Sequence, residues 1–191
     1  MAKDKVGFTK IVLIGGSAGG LDVLLQILPA LKPVLLFPIV IVLHRKTSQD
    51  SPLVEVLAGK TKLPVKEIEE KERILPGIIY VVPADYHLLF EQDTTFSLDA
   101  SEKVNYSRPS IDVVFESAAE VYQQAVTGIL LSGANADGTK GFESIQSYKG
   151  ITIAQEPGTA EISYMPQQAI KLNVVDEVLD IAGIITYINS L

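Results

Sequence analysis

The stretch Lys10-Ile-Val-Leu-Ile-Gly15-Gly-Ser17-Ala-Gly19-Gly20-Leu-Asp-Val-Leu-Leu constrains this chain more than any other. A continuously apolar run, Lys10 to Ile14, reads as a buried strand. It breaks at glycines that flank one serine, and a helical pattern starts at once. Leu21, Leu24, Leu25, Leu28 and Leu31 recur at helix spacing, which predicts a helix over about 20–31. A sharp strand-to-helix turn brings backbone too close for bulky neighbours, so glycines beside the serine have a steric reason. Gly15-x-Ser17-x-Gly19 fits the G-x-S-x-G pattern that raises a serine hydroxyl clear of a sheet. The N–H groups opening the next helix lack intrahelical partners and suit a developing anion.

Two other readings fit the same stretch. The serine could simply cap the helix. The turn could instead hold a nucleotide, because G-x-G-x-x-G places glycines at 15 and 20. Its middle glycine is Ser17 here. The acidic residue expected near the end of the second strand is replaced by His44-Arg45, and an arginine there could suit a phosphate.

Further along, Ile39 to Leu43 reads as a second buried strand with His44 at its carboxyl end. Thr47 to Asp50 reads as a polar loop, and Ser51-Pro52 as the start of a short helix running to about Ala58. Leu63 to Ile68 is a short strand candidate. Glu67 to Arg73 is a charged run of the kind that usually faces solvent. Gly77–Val82, Tyr86–Glu91 and Thr94–Leu98 read as strands of a turn-rich, antiparallel middle section, with Asp85 and His87 on a surface hairpin. Asp99 to Ser107 lacks a period and reads as a long loop. Pro109 opens a helix. Ala125 to Leu131 is a third buried strand, ending in Ser132-Gly133-Ala-Asn135-Ala-Asp137-Gly138. Gly138–Tyr148 is helical, Ile151–Ala154 is a fourth strand, Gln155–Tyr164 is a polar loop, Met165-Pro166 starts a short helix, and Val174–Ile188 reads as mainly helical. Strands that alternate with helices predict an α/β fold: a doubly wound, mainly parallel sheet flanked by helices, with an antiparallel hairpin section in the middle of the chain. At 191 residues, with no repeat or linker, the chain reads as a single domain over 1–191.

Composition narrows the chemistry. The net charge is −7 and the pI near 4.8, which argues against a nucleic-acid partner and against an anionic membrane surface. There is no cysteine, so thiolate catalysis, disulfides and Cys-ligated metals are excluded. Only His44 and His87 could serve as a histidine base. Met1 to Thr9 lacks a signal-peptide core, and the apolar run Val34–Leu43 is too short to span a bilayer and contains Pro38. The expected setting is the cytoplasm, without membrane insertion.

Ser17, His44 and Asp137 each follow a predicted buried strand, at or just past its carboxyl end, where open α/β sheets bind ligands. Serine, histidine and aspartate are the types a nucleophile, its base and the base's orienting carboxylate require. The order Ser…His…Asp is not that of α/β-hydrolases. Taken singly, His44 could be a loop histidine and Asp137-Gly138 a turn dipeptide.

Several ordered motifs make the chain resemble the catalytic domain of CheB-type chemotaxis receptor methylesterases, from about Lys10 to Ile184. They are Gly15-Gly-Ser17-Ala-Gly-Gly20; Val42-Leu-His44; Leu75-Pro-Gly-Ile-Ile-Tyr80-Val-Val-Pro83-Ala-Asp85-Tyr-His87; Arg108-Pro-Ser110-Ile-Asp112-Val-Val-Phe115-Glu-Ser117-Ala-Ala119; Gly128-Ile-Leu-Leu-Ser132-Gly133-Ala-Asn-Ala-Asp137-Gly138-Thr-Lys-Gly141; Ala154-Gln155-Glu156; and Met165-Pro166. The resemblance implies a catalytic triad of Ser17, His44 and Asp137. It implies hydrolysis of glutamate γ-methyl esters on the cytoplasmic helices of a methylated chemoreceptor, glutamine deamidation by the same route, and no cofactor or metal. It further implies an oxyanion hole from the backbone N–H groups of Ala18 and Ala134. Where the family has Gly-Met-Gly this chain has Gly133-Ala134-Asn135, and where it has Met-Pro-Arg this chain has Met165-Pro166-Gln167. A catalytically weak or inactive methylesterase-like binding module is the alternative that the first departure favours. Many relatives carry a receiver domain. Nine residues precede the first strand here, so the expectation is no receiver domain, with control absent or supplied by a separate receiver-domain protein.

Overall fold

A computed structural model describes residues 10–45 and 52–191. The readings of Met1–Thr9, of the Thr47–Asp50 loop and of Ser51 as a helix cap lie outside the described residues. Nine strands and six α-helices follow in chain order among the described residues: β1 (Ile11–Gly16), α1 (Gly20–Ile27), β2 (Ile39–Leu43), α2 (Leu53–Ala58), β3 (Val65–Glu67), β4 (Ile79–Val81), β5 (His87–Phe90), β6 (Phe96–Asp99), α3 (Ile111–Tyr122), β7 (Val126–Leu130), α4 (Thr139–Ser147), β8 (Ile151–Gln155), α5 (Tyr164–Lys171), β9 (Glu177–Leu179) and α6 (Ile181–Ser190).

Seven strands form one sheet in the order β3-β4-β2-β1-β7-β8-β9, all pairs parallel. The chain builds outward from β1 to one edge and then returns to build the other half from β7. The strand order therefore reverses between β1 and β7, at the centre of the sheet. Register puts Gly15 beside Val42 and Leu130, and Gly16 beside Leu43. The carboxyl ends of β2, β1 and β7 are thus level.

Alternation along β1 explains the two cores. Ile11 and Leu13 pack towards α3, α4 and α5, with Phe115, Phe142 and Met165. Val12 and Ile14 pack towards α1, α2 and α6, with Leu24, Leu57 and Ile184. A parallel sheet covered on both faces needs strands that are apolar throughout, and β1, β2 and β7 are buried at every position.

The middle section corrects the sequence reading in part. β3 and β4 join the main sheet in parallel, and the antiparallel strand pair among the described residues is β5 with β6, joined through Glu91–Thr95, with isolated antiparallel bridges between Arg73 and Thr95 and between Val104 and Ser107. Three strand residues carry too little alternation to reveal their pairing direction. The segment before Ile188 is not continuously helical either. β9 adds the last strand at the sheet edge, and its side chains are mostly exposed, so no apolar run marks it. α1 stops at Ile27, where Pro29 converts the last predicted turn to a short 3-10 turn.

Candidate active site

The elbow after β1 takes its shape from close approaches. A Cβ on Gly15 would meet Ile111 Cγ2 at 2.6 Å, and Gly19 stands at φ +78°, a conformation that side chains disfavour. Gly19 is the N-cap of α1, with no side-chain capping bond. Ser17 is therefore not a helix cap, and its hydroxyl has no hydrogen-bond partner among the described residues. The loop after β7 braces the elbow. Ser17 N–H donates to Ser132 O at 2.9 Å, and the buried Ser132 hydroxyl donates to Ala18 O at 2.7 Å and accepts from Ile162 N–H at 2.9 Å. Gln155 Oε1 in turn accepts from Ser132 N–H at 2.9 Å.

His44 sits one residue past β2, its N–H donating to Gly16 O at 3.2 Å. That bond holds the histidine level with Ser17 on the adjoining strand. Ser17, His44, Leu21, Leu43 and Leu53 line one cavity of about 240 Å³. Ser17 and His44 form no hydrogen bond with each other here; such contacts commonly tighten once substrate is bound. His44 Nε2 pairs with Asp137 Oδ2 at 2.7 Å, the carboxylate side chain being fully buried. With Nε2–H donated to the carboxylate, Nδ1 is the ring nitrogen left with a lone pair.

Asp137 is held on every side. Oδ2 also accepts from Ile111 N–H at 2.6 Å. Oδ1 accepts from Ser110 Oγ at 2.9 Å, Asp112 N–H at 3.0 Å and Asn105 Nδ2 at 2.9 Å. Three of these donors belong to the N-terminus of α3, where the unpaired amides and the helix dipole favour an anion. Burial pushes the Asp137 carboxyl up, but the bonds from His44, the Asp112 and Ile111 amides and Asn105 outweigh it and hold the group well below the ordinary carboxylate range. Behind it lies a second buried carboxylate, Asp112. Its Oδ1 accepts from Gly138 N–H at 2.8 Å and Gly141 N–H at 2.9 Å, and its Oδ2 accepts from Asn105 Nδ2 at 2.8 Å. Burial is the main cause that raises Asp112 to about 6, with the Asp137 charge adding to it against the Gly141 amide.

The loop 133–135 differs from Gly-Met-Gly without strain. Asn135 is not among the residues with left-handed backbone, so its Cβ is accommodated. Its Oδ1 accepts from Asp137 N–H at 3.1 Å, and its Nδ2 stands 3.5 Å from His44 Nδ1. Among the described residues, neither the Ala18 N–H nor the Ala134 N–H donates a hydrogen bond. Those two amides flank the serine turn and the loop beside it, and both residues are exposed.

A second cleft of about 520 Å³ adjoins His44, between Arg45 and Asp85 on one side and the Lys103–Pro109 loop on the other. Arg45 pairs with Glu67 at 2.6 Å, and Arg108 caps the carbonyls of Ala100 and Ser101. Among the described residues no cluster of three or more potential ligands is placed to hold a metal.

His87 corrects its surface assignment. It is 1% exposed, with Nε2 bonded to Glu102 O at 3.0 Å and Nδ1 accepting from Ser110 N–H at 3.1 Å. It braces the start of α3 and stands outside the chemistry. Sequence reasoning also passed over Asn105, Ser110, Asp112 and Ser132 as parts of the site. Ser110 carried the signature of a helix cap and Asp112 that of a first-turn acid, and both local roles masked the second one.

Comparison with known proteins follows the same lines. The family model described as CheB methylesterase matches residues 12–188. A putative protein-glutamate methylesterase/protein-glutamine glutaminase of Leptospira interrogans is 46% identical over 173 residues, covering 91% of this chain and 90% of that protein. The protein-glutamate methylesterase/protein-glutamine glutaminase of Thermotoga maritima is 36% identical over 173 residues, covering 89% of this chain and 50% of that longer protein. The crystal structure of the Thermotoga maritima CheB methylesterase catalytic domain superposes with a TM-score of 0.91 at 35% identity, covering 95% of this chain and 97% of that one.

Proposed function

The chain belongs to the CheB methylesterase family, and from that membership we propose that it hydrolyses glutamate γ-methyl esters on the cytoplasmic helices of a chemoreceptor through Ser17, His44 and Asp137. It is a serine hydrolase of the protein-glutamate methylesterase class. The observation that carries the triad is the 2.7 Å pair between His44 Nε2 and the buried Asp137, next to an uncapped serine at the level of the same strand ends.

The steps follow from that arrangement. Ser17 Oγ attacks the ester carbonyl carbon as its proton passes to His44 Nδ1. Asp137 fixes the ring with Nε2–H towards itself and stabilises the imidazolium that forms. The N–H groups of Ala18 and Ala134 receive the oxyanion. The tetrahedral intermediate collapses, and methanol leaves with the proton from Nδ1. Water then gives a proton to the same nitrogen as its oxygen attacks the acyl-serine carbonyl; the second tetrahedral intermediate collapses, the proton passes from Nδ1 back to Ser17 Oγ, and the glutamate side chain is released as the acid, which ionises. On glutamine the same steps release ammonia. The proposed setting is the cytoplasm, with control absent or supplied by a separate receiver-domain protein; separately, no helix among the described residues is long and apolar enough to cross a membrane.

The test is methanol release from a methylated chemoreceptor fragment, with Ser17→Ala alongside. Release that disappears in the variant supports the reading. No release from either protein, on a fragment that a known methylesterase cleaves, overturns it.

A further inference from the structure

The loop between β6 and α3 reaches the triad through one side chain. Asn105 lies on the Asp99–Ser107 stretch, which has no periodicity and little regular structure. Its amide nitrogen donates to Asp112 Oδ2 at 2.8 Å and to Asp137 Oδ1 at 2.9 Å. An amide carries two N–H bonds, and here each goes to a different buried carboxylate. The backbone is bent to allow it. Asn105 and Tyr106 stand in succession at φ +51° and +62°, and Tyr106 is left 98% exposed. Asparagine accepts the left-handed region readily and tyrosine does not. Strain at the solvent-facing Tyr106, next to the inward-aimed Asn105 and beside a site, is backbone held in place for what the inward residue does.

Two carboxylates packed together oppose each other's ionisation, and a donor shared between them relieves that opposition. Asp112 and Asp137 are 4% and 1% exposed, so water does little of this work. Asp112 holds the amides of Gly138 and Gly141, immediately after Asp137 in the chain, so its ionised form also fixes the backbone that carries the triad carboxylate.

We infer that Asn105 is a positioning residue for the reaction: its amide bridges Asp137 and Asp112 and so holds the triad carboxylate, charged and in register, behind His44. The inference rests on the Ser17-His44-Asp137 reading above. The same loop forms one wall of the cleft beside His44, so the bridge also ties that wall to the triad.

Two variants separate the amide from the backbone. Asn105→Gly keeps the left-handed conformation and removes the amide. Asn105→Asp keeps both shape and conformation and replaces two donors with acceptors, adding a third negative charge. The expected result for Asn105→Gly is a roughly tenfold fall in kcat, the typical consequence of losing a hydrogen bond to a charged group, with KM within about twofold. For Asn105→Asp it is a larger fall, of roughly a hundredfold, from lost donors and like-charge repulsion together. The proton NMR resonance of the His44 ring N–H that faces Asp137 should move in both variants, and further in Asn105→Asp. That readout needs no substrate. If wild-type protein releases no methanol while the resonance still moves as stated, the esterase reading falls and the bridge stands. A resonance unchanged in both variants, or an Asn105→Asp variant no worse than Asn105→Gly in both readouts, overturns the bridge.

Discussion

Ser17 and Asp137 leave neighbouring strands at the same edge of one sheet, yet their surroundings are opposite. The Asp137 carboxylate accepts five hydrogen bonds and its side chain is wholly buried. The Ser17 hydroxyl accepts and donates none among the described residues, and it opens on a cavity. The difference fits the roles proposed for the two groups. A carboxylate that orients a base gains from being fixed, because its alignment is then set before substrate arrives. A nucleophile has to turn towards a carbonyl, so its backbone is braced through Ser132 while the hydroxyl is left without a competing partner. Loss of the serine hydroxyl should therefore cost chemistry and leave stability, whereas loss of the aspartate should cost both.

The sharpest way to break that contrast is Ser17→Ala. Methanol release should fall by at least ~10⁴-fold, with a thermal midpoint unchanged to within about a degree, since no hydrogen bond is lost. A large drop in midpoint would mean the hydroxyl has a structural partner. Asp137→Asn comes next, with a fall in kcat of roughly 10⁴-fold. Here denaturant titration should also show a loss of roughly 2–4 kcal/mol, because one amide group cannot accept from all the buried donors now aimed at the carboxylate. Equal stabilities for the two variants would remove the distinction.

Ser132→Ala tests the brace rather than the chemistry. It leaves Ala18 O and Ile162 N–H without a partner, so the expected loss is about 1–3 kcal/mol, with a smaller, roughly tenfold fall in kcat from a misplaced elbow. The pH dependence of stability sharpens the aspartate side. Burial, chiefly, raises Asp112 from 3.8 to about 6 and also raises Glu116. A raised carboxyl binds its proton more tightly in the folded state, so its contribution is fullest at low pH and is lost as pH climbs through the folded value. Stability by urea titration should rise between pH 7.5 and pH 5, by on the order of 1 kcal/mol. Asp137 acts with the opposite sign and only below its ordinary value of 3.8, where its protonation begins to remove stability. A flat profile from pH 7.5 to 5 would argue that Asp112 is not held against its own charge. The smallest effect belongs to Asn135→Gly. Its amide stands 3.5 Å from His44 Nδ1, at the long limit of a hydrogen bond, so kcat should change by less than about threefold. A much larger gain in rate would show that Asn135 blocks the base.

The sequence by itself determined the elbow, the strand ends and the fold class. An apolar run broken by glycines and followed by leucines at helix spacing is a local pattern, and it placed Ser17, His44 and Asp137 each past a buried strand. It also left a serine readable as a helix cap, a histidine on a supposed surface hairpin and a loop without features. Tertiary structure alone decided those. Gly19 took over the cap, His87 went under the start of α3, and Asn105 came to bridge two carboxylates. The contacts that build the site join residues 93 apart for His44 and Asp137, 26 apart for Ile111 and Asp137, and 32 apart for Asn105 and Asp137. No local period encodes a bond of that span. It exists because β1 is paired with β2 on one side and β7 on the other, and because α3 points its unpaired N–H groups at Asp137 in the loop after β7.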